Sequence, residues 1–204
     1  MSRVDQITEL GEMGVDYIGF IFYPPSPRYV GRFLTEEQIA QIKGPFKKVG
    51  VFVNQDKAEI LRLVDSCGLD MVQLHGDELP AAAAKIAETV PVIKAFRLIS
   101  DDDVLYKVLP FKEVVDYYLF DTNTQAYGGS GKNFDWQILE GLDLEKPFFL
   151  SGGISLDLLP DLQAFRNLSV AKSLISLDIN SRFETEPGVK DLEKIRSFME
   201  QLKK

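Results

Sequence analysis

Polar side chains interrupt or directly follow the short apolar runs of this 204-residue sequence. Arginine, aspartate, histidine and serine in such positions can bind carboxylates, deliver protons and hold phosphate groups. When parallel strands close into a barrel, the side chains at their carboxyl ends gather at one face, and that face carries the chemistry. One candidate site therefore comprises the following residues: Arg28, Gln73, His75, Asp77, Arg97, Asp121, Ser151, Asp178, Asn180 and Ser181.

Several of these residues also have a purely structural interpretation. Asp121 taken alone could cap a turn, because aspartate is a common turn residue. A single His75 is more often a hydrogen-bonded structural residue than a catalyst. Arg28 follows a proline-rich loop, PPSPR, and could be a solvated surface charge. The grouping at strand ends is what indicates a site.

Two glycine clusters indicate anion binding. The run at 128–132, GGSGK, resembles a mobile anion-handling loop, although such loops are often plain connectors. The run at 151–153, SGG, is a stronger signal because it precedes a predicted helix led by Ser155, whose N–H groups and positive end can hold a phosphate. Together with Asn180 and Ser181 at the end of the last apolar run, it predicts a phosphate site.

The elements that must position these residues are strands alternating with helices. Seven apolar runs without alternation predict strands that are buried on both faces. They lie at residues 17–23, 47–53, 70–75, 91–97, 117–122, 147–153 and 175–180. Segments with helical spacing separate them, and Thr35 with Gln38 forms a predicted capping box. Residues 1–204 are therefore predicted to form one α/β domain, a (β/α)₈ barrel.

The N-terminal region departs from this pattern. The run from Val4 to Met13, closed by Gly14, predicts an amphipathic helix ahead of the first recognisable strand. An eight-stranded barrel begins with a strand and needs every strand to close its hydrogen-bonded ring. We therefore expect the first β-strand to be missing ahead of Met1, which would leave unpaired strand edges and a marginally stable fold.

Composition excludes several classes of partner. The formal charge of −8 is spread along the chain, so nucleic acid is not expected to bind. No apolar run approaches the roughly 20 residues that span a bilayer, and no signal peptide is recognisable, which predicts a cytoplasmic protein without a membrane partner. Cys67 and His75 are the single cysteine and histidine, too few for a zinc cluster, so no metal is expected.

The segments read in order resemble phosphoribosylanthranilate isomerase over essentially the whole chain. The matching stretches are GFIFYPPSPRYV, KKVGVFVN, VQLHGDE, VIKAFR, LFDT followed by GGSGKNFDW, LSGGIS and DINSRFETEPGVKD. The resemblance implies a (β/α)₈ barrel without a cofactor that converts N-(5-phosphoribosyl)anthranilate to 1-(2-carboxyphenylamino)-1-deoxyribulose 5-phosphate, an Amadori rearrangement in tryptophan biosynthesis. It also implies a small phosphosugar as partner and a monomer or homodimer.

The resemblance assigns roles to individual residues. Asp121 matches the general acid that protonates the furanose oxygen. Arg28 matches the arginine that binds the anthranilate carboxylate through its planar guanidinium. The resemblance also implies two further groups of substrate-binding residues. Gln73 and His75 form the first group. The second group surrounds the phosphate and consists of Gly152, Gly153, Asp178, Asn180 and Ser181.

The base that removes the second proton has no counterpart in this sequence. In the family it is a cysteine on the first strand, within a Lys-Ile-Cys-Gly or Lys-Val-Cys-Gly stretch. Cys67 cannot replace it, because it ends a predicted helix at the opposite face of the barrel. We therefore expect the 204-residue chain to be inactive. A start codon assigned too far downstream, which we favour, or a real truncation would explain the gap.

Two other functions remain open. One is a different phosphosugar enzyme, such as a ribulose-phosphate epimerase or indole-glycerol-phosphate synthase. The epimerase needs metal-binding histidines where only His75 is present, and the synthase needs more lysines and glutamates at strand ends. The other is a catalytically silent barrel that binds phosphosugars.

Overall fold

The structure, a computed structural model, describes residues 1–99, 101–122 and 136–203. The glycine-rich run at 128–132 lies outside the described residues, so its interpretation as an anion-handling loop stays a prediction. None of the described helices is both long enough and apolar enough to cross a membrane.

Within the described residues, seven parallel strands form one curled sheet, in which each strand pairs with the next along the chain. This number matches the seven runs predicted from the sequence. The strands are β1 (Tyr17–Ile21), β2 (Lys47–Phe52), β3 (Met71–Leu74), β4 (Val92–Leu98), β5 (Tyr117–Thr122), β6 (Phe148–Ser151) and β7 (Leu174–Leu177). The last strand is shorter than the run predicted at 175–180, so Asp178 and Asn180 follow β7 instead of belonging to it.

Helices lie between the strands along the chain. They are α1 (Val4–Glu12), α2 (Glu36–Gln41), α3 (Lys57–Cys67), α4 (Pro80–Ala87), α5 (Val104–Val108), α6 (Leu159–Phe165) and α7 (Leu192–Leu202). As predicted, α1 precedes β1, and Gly14 after it takes a left-handed φ of 86°. The predicted capping box is present, since Thr35 Oγ1 accepts from Gln38 N at 3.2 Å and Thr35 N donates to Gln38 Oε1 at 2.8 Å.

Alternate strand residues fill two apolar layers, as strands buried on both faces require. Inside the curled sheet, Val49, Met71, Ile93, Leu119 and Phe149 pack together with Ala95. The intervening residues pack between the strands and the helices. This outer layer includes Phe20, Phe52, Leu74, Phe120 and Phe148. The sheet is therefore a rigid base for the side chains at its carboxyl ends.

A short antiparallel hairpin after β7, which the strand pattern did not predict, connects the two ends of the described sheet. It consists of β8 (Glu184–Glu186) and β9 (Val189–Lys190). The Gln6 amide in α1 binds the Lys190 backbone in both directions, at 2.7 and 2.9 Å. Nearby, Met1 N donates to Gly19 O in β1 at 2.7 Å. The chain start contacts the middle of β1, and α1 holds the hairpin next to it.

Candidate active site

Three side chains form a hydrogen-bonded row across the carboxyl ends of β3 and β5. Gln73 Nε2 lies 2.8 Å from His75 Nδ1, and His75 Nε2 lies 3.1 Å from Asp121 Oδ2. Because the Gln73 amide nitrogen can only donate, Nδ1 accepts, and the proton of the neutral ring resides on Nε2. His75 therefore donates to Asp121, and this bond orients the carboxylate.

The predicted acid and the predicted phosphate turn lie on neighbouring strand ends. Asp121 in β5 is the register partner of Ser151 in β6. Adjacent strands lie about 4.8 Å apart, so Gly152, one residue farther on, is well inside the roughly 15 Å that one phosphosugar could span. Ser151 Oγ in turn donates to Asp178 Oδ2 at 3.2 Å. The ends of β5, β6 and β7 therefore converge.

Asp178 connects this row to the opposite side of the site through its charge. Burial raises the pKa of the Asp178 carboxyl, while the positive charge of Lys190 and the hydrogen bond from Ser151 lower it and the Asp121 carboxylate raises it further. Coupling of this kind needs groups close together in a poorly solvated region. Asp178 therefore shares this region with Ser151, which donates to it, and with the neighbouring end of β5.

A second polar row brings together Arg28, the hairpin and Asn180. The Arg28 fork binds Glu184 through Nε at 2.8 Å and Nη2 at 2.6 Å. Lys190 Nζ lies 3.3 Å from Glu184 Oε1 and 2.9 Å from Asn180 Oδ1. Burial alone would raise the pKa of Glu184, but its hydrogen bonds from Arg28 and the Lys190 charge outweigh burial, and the net pKa is lowered. The guanidinium is thus firmly positioned at this edge.

Sequence analysis missed Glu184 and Lys190 as members of the site. Both lie in the closing stretch DINSRFETEPGVKD, but in a hairpin and not at the end of a sheet strand. The available signal was the pair of opposite charges six residues apart around a Pro-Gly turn, which predicts a hairpin with facing charges.

Both polar rows border one cavity of about 620 Å³ that extends from the inside of the curled sheet between β1 and β7 to α1, α6 and α7. Its mouth is lined by Arg28, Gln73, His75, Asp178, Asn180, Glu184 and Lys190, and its interior by Tyr17, Val49, Ile93, Leu119 and Phe149. Charged groups at the mouth and an apolar interior suit a ligand with an aromatic part and anionic ends.

Other predicted site residues stand beside the cavity and not in its wall. Asp121 reaches the wall through His75. Gly152 and Gly153 have φ of 91° and 63°, a left-handed conformation that is strained for residues with a side chain. Their turn follows β6 at the same face, and Ser181 begins the short 3₁₀ turn after Asn180.

Ser155, expected to lead a helix, precedes a 3₁₀ turn without a side-chain cap hydrogen bond.

Asp77 and Arg97 do not join either polar row. Asp77 is exposed, and its backbone N–H donates to Asn54 Oδ1 at 2.7 Å. Arg97 is also exposed, and its only side-chain hydrogen bond within the described residues goes to His75 O at 3.5 Å. Both residues lie at the carboxyl-end face of the sheet, as predicted, but they do not line the cavity.

Cys67 lies at the opposite end of the molecule from these groups, where α3 ends ahead of β3. It is buried, burial raises the pKa of its thiol, and its backbone oxygen accepts from Lys48 Nζ at 2.8 Å. The structure agrees with the predicted packing role.

Comparisons with known proteins agree with this arrangement. A family model described as N-(5'phosphoribosyl)anthranilate (PRA) isomerase matches residues 1–201. An N-(5'-phosphoribosyl)anthranilate isomerase from Parabacteroides distasonis is 40% identical over 205 residues, which cover 99% of this chain and 90% of the relative.

Solved structures give the same result. Phosphoribosyl anthranilate isomerase from Thermotoga maritima matches with a TM-score of 0.81 at 32% identity, covering 100% of this chain and 95% of that one. An isomerase in complex with reduced 1-(o-carboxyphenylamino)-1-deoxyribulose 5-phosphate matches with a TM-score of 0.78 at 28% identity and the same coverage. The chain belongs to the N-(5'-phosphoribosyl)anthranilate isomerase family.

Proposed function

We propose that this chain binds N-(5'-phosphoribosyl)anthranilate at the cavity mouth and that Asp121 protonates its furanose oxygen. The observation that carries the proposal is the hydrogen bond from His75 Nε2 to Asp121 Oδ2 beside a cavity with an apolar interior. Ring opening of this substrate begins with proton transfer to the ring oxygen, which a positioned carboxyl group accelerates.

The hydrogen bond from His75 gives the two carboxylate oxygens of Asp121 different roles. Oδ2 accepts from His75 Nε2, so Oδ1 is the oxygen that carries a proton toward a ligand. Once the proton has left, the carboxylate keeps its bond to a ring N–H, which stabilises the charge that has formed. His75 is in this proposal a partner of the acid and not the acid itself.

The two ends of the substrate are anionic, and the two polar edges of the cavity supply donors. Arg28 Nε and Nη2 are engaged by Glu184, which leaves the Nη1 side of the guanidinium to the anthranilate carboxylate. The left-handed turn of Gly152 and Gly153, directly after β6, supplies the Gly153 backbone N–H for the phosphate. Phosphate binding far from the reacting carbons helps to position them.

The second proton transfer requires a base at the carbon beside the imine. The 204 residues contain one cysteine, Cys67, and it is buried at the other end of the strands. Cys67 is therefore not assigned as this base, and a barrel that binds the phosphosugar without completing the rearrangement is the second candidate function. The two candidates share the ligand and differ in turnover.

Calorimetry and a turnover assay test both candidates with the purified 204-residue chain. We expect one-to-one binding of reduced 1-(o-carboxyphenylamino)-1-deoxyribulose 5-phosphate, and no loss of substrate fluorescence at a rate typical of enzymes, about 1 per second or faster. Absence of binding contradicts both candidates. Turnover at that rate supports the isomerase and shows that a group other than cysteine supplies the base.

A further inference from the structure

A buried ion pair under the site has no part in the proposed reaction. Lys94 Nζ lies 3.0 Å from Glu78 Oε2, and both side chains are only 5% exposed. Ile93 and Ala95 face the inner layer, so Lys94 between them lies on the outer side of β4, close to the Phe96 ring. Taking two charges out of water is costly and offsets much of their attraction, so such a pair is weak evidence for a contribution to stability.

The hydrogen bonds of Lys94 are directed at the backbone that carries His75. Lys94 Nζ donates to Gly76 O at 2.7 Å and to Leu74 O at 3.4 Å, the carbonyls on either side of His75. His75 N itself donates to Phe52 O at 2.8 Å. The peptide groups around the histidine are therefore held from two directions.

Glu78 holds the same backbone from its other side. Its carboxylate accepts from Gly76 N at 3.0 and 3.1 Å and from Asn54 N at 2.8 Å. Asn54 has a left-handed φ of 52°, and its Oδ1 accepts from Asp77 N. The loops after β2 and β3 are thus tied together around one buried carboxylate.

We propose that Lys94 and Glu78 are positioning residues that fix the backbone on both sides of His75 and thereby place its Nε2 against Asp121 Oδ2. A hydrogen bond at 3.1 Å weakens steeply when its angle changes, so a small shift of this backbone uncouples the histidine ring from the carboxylate. The consequence for catalysis rests on the proposed function, while the coupling itself does not.

His75 is the sole histidine of the chain, so its ring gives one unambiguous set of NMR signals. The measurement is the change in the His75 ring ¹⁵N and ¹H shifts that Asp121→Asn causes, determined in three backgrounds. These are the parent, Lys94→Met and Lys48→Met. Lys48 is a matched control because it is also 5% exposed and donates to two backbone carbonyls, Ile39 O and Cys67 O, away from the site.

Asp121→Asn should move the His75 signals equally in the parent and in Lys48→Met, and by less than about half as much in Lys94→Met, because coupled residues are not additive. Equal changes in all three backgrounds would overturn the proposal. If Lys94→Met does not fold, Glu78→Gln serves in its place, since it keeps the size of the side chain and loses the charge. It too should reduce the change, and an undiminished change in Glu78→Gln also overturns the proposal.

The readout requires neither substrate nor turnover. Failure of the parent to bind the product analogue would contradict the proposed function and leave the coupling measurement intact. Conversely, tight analogue binding with equal shifts in all backgrounds would contradict only the positioning role.

Discussion

His75 Nε2 and Asp121 Oδ2 lie 3.1 Å apart, although His75 directly follows β3, Asp121 belongs to β5, and β4 lies between these two strands. This hydrogen bond passes over the carboxyl end of β4, so it requires the loop after β3 to extend over β4 toward β5. Lys94, which rises from β4, bonds to that loop. The geometry of the predicted acid therefore depends on three neighbouring strands.

Replacing Arg28 by Met should weaken binding of the carboxylate-bearing product analogue by about 10- to 150-fold, the range for loss of a charged hydrogen bond. Affinity for inorganic phosphate should change less, because the phosphate is assigned to the turn after β6 and Arg28 is connected to Asn180 only through Glu184 and Lys190. Calorimetry measures both. Arg62→Met is the control, since Arg62 also forms a double ion pair, with Glu36 and Glu59, but on the exposed surface. Equal loss of phosphate affinity would place the phosphate at Arg28 instead.

Gly153→Ala should abolish measurable phosphate binding at millimolar concentration, because the side chain disturbs the left-handed turn whose N–H groups face the anion. Gly141→Ala is the matched control. Gly141 has a similar φ of 74° and open space where a methyl group would lie, so both changes carry the same backbone strain, about 1 to 2 kcal/mol. Isothermal titration that finds phosphate affinity retained in Gly153→Ala would remove the phosphate from this turn.

A six-residue extended segment ending in Cys-Gly, placed ahead of Met1, should raise the melting temperature and start turnover together. Among the described strands, β1 pairs only with β2 and β7 only with β6, and residues of both line the cavity. Each backbone group that such a strand newly pairs contributes about 1 to 3 kcal/mol, so several of them correspond to a rise of several degrees in a chain of this size.

The control segment ends in Ser-Gly. It should raise the melting temperature equally in calorimetric scans and leave turnover absent, since it lacks the thiolate. Turnover with the serine segment would show that the base lies elsewhere.

In the extended active protein, Asp121→Asn should lower kcat by about 10²- to 10⁴-fold, the usual contribution of a general acid. Affinity for the product analogue should change little, because the amide keeps the size of the carboxylate and an oxygen that accepts from His75. Asp65→Asn, the same change on the exposed surface of α3, is the control. A fall in affinity with kcat preserved would make Asp121 a binding residue.

Asp178→Asn should stabilise the protein at pH 7, and the gain should disappear in acid. Burial raises the pKa of Asp178, so between the unfolded and folded pKa values the native state holds the extra proton. Native stability therefore falls as pH rises through that interval and stays reduced at neutral pH. Asparagine does not titrate and avoids this loss. Urea unfolding at pH 7 and near pH 3 measures the difference; a gain that persists unchanged in acid contradicts the assigned cause.

The sequence allowed the strands, most strand-end residues and the capping box to be predicted, because each depends on local pattern. Asp121 and Ser151 could be placed side by side since both end buried parallel strands. Their contacts could not be predicted. The Arg28 partner, Glu184, lies 156 residues away in the sequence, and the hairpin that carries it forms against α1.

The Lys94 and Glu78 pair was missed for a related reason. Lys94 lies within an apolar run, where a lysine is expected to reach solvent, and only the packed structure shows its ammonium under the loop after β3. The hydrophobic pattern fixes which face a strand residue occupies. It does not determine where a long side chain ends.

The most direct measurement is a crystal structure of the 204-residue chain with reduced 1-(o-carboxyphenylamino)-1-deoxyribulose 5-phosphate. We predict the phosphate within hydrogen-bond distance, about 3 Å, of the Gly153 N–H, the anthranilate carboxylate against Arg28, and the sugar chain beside the free oxygen of Asp121. A ligand bound with Asp121 out of reach of every sugar oxygen, or bound outside this cavity, would contradict the account.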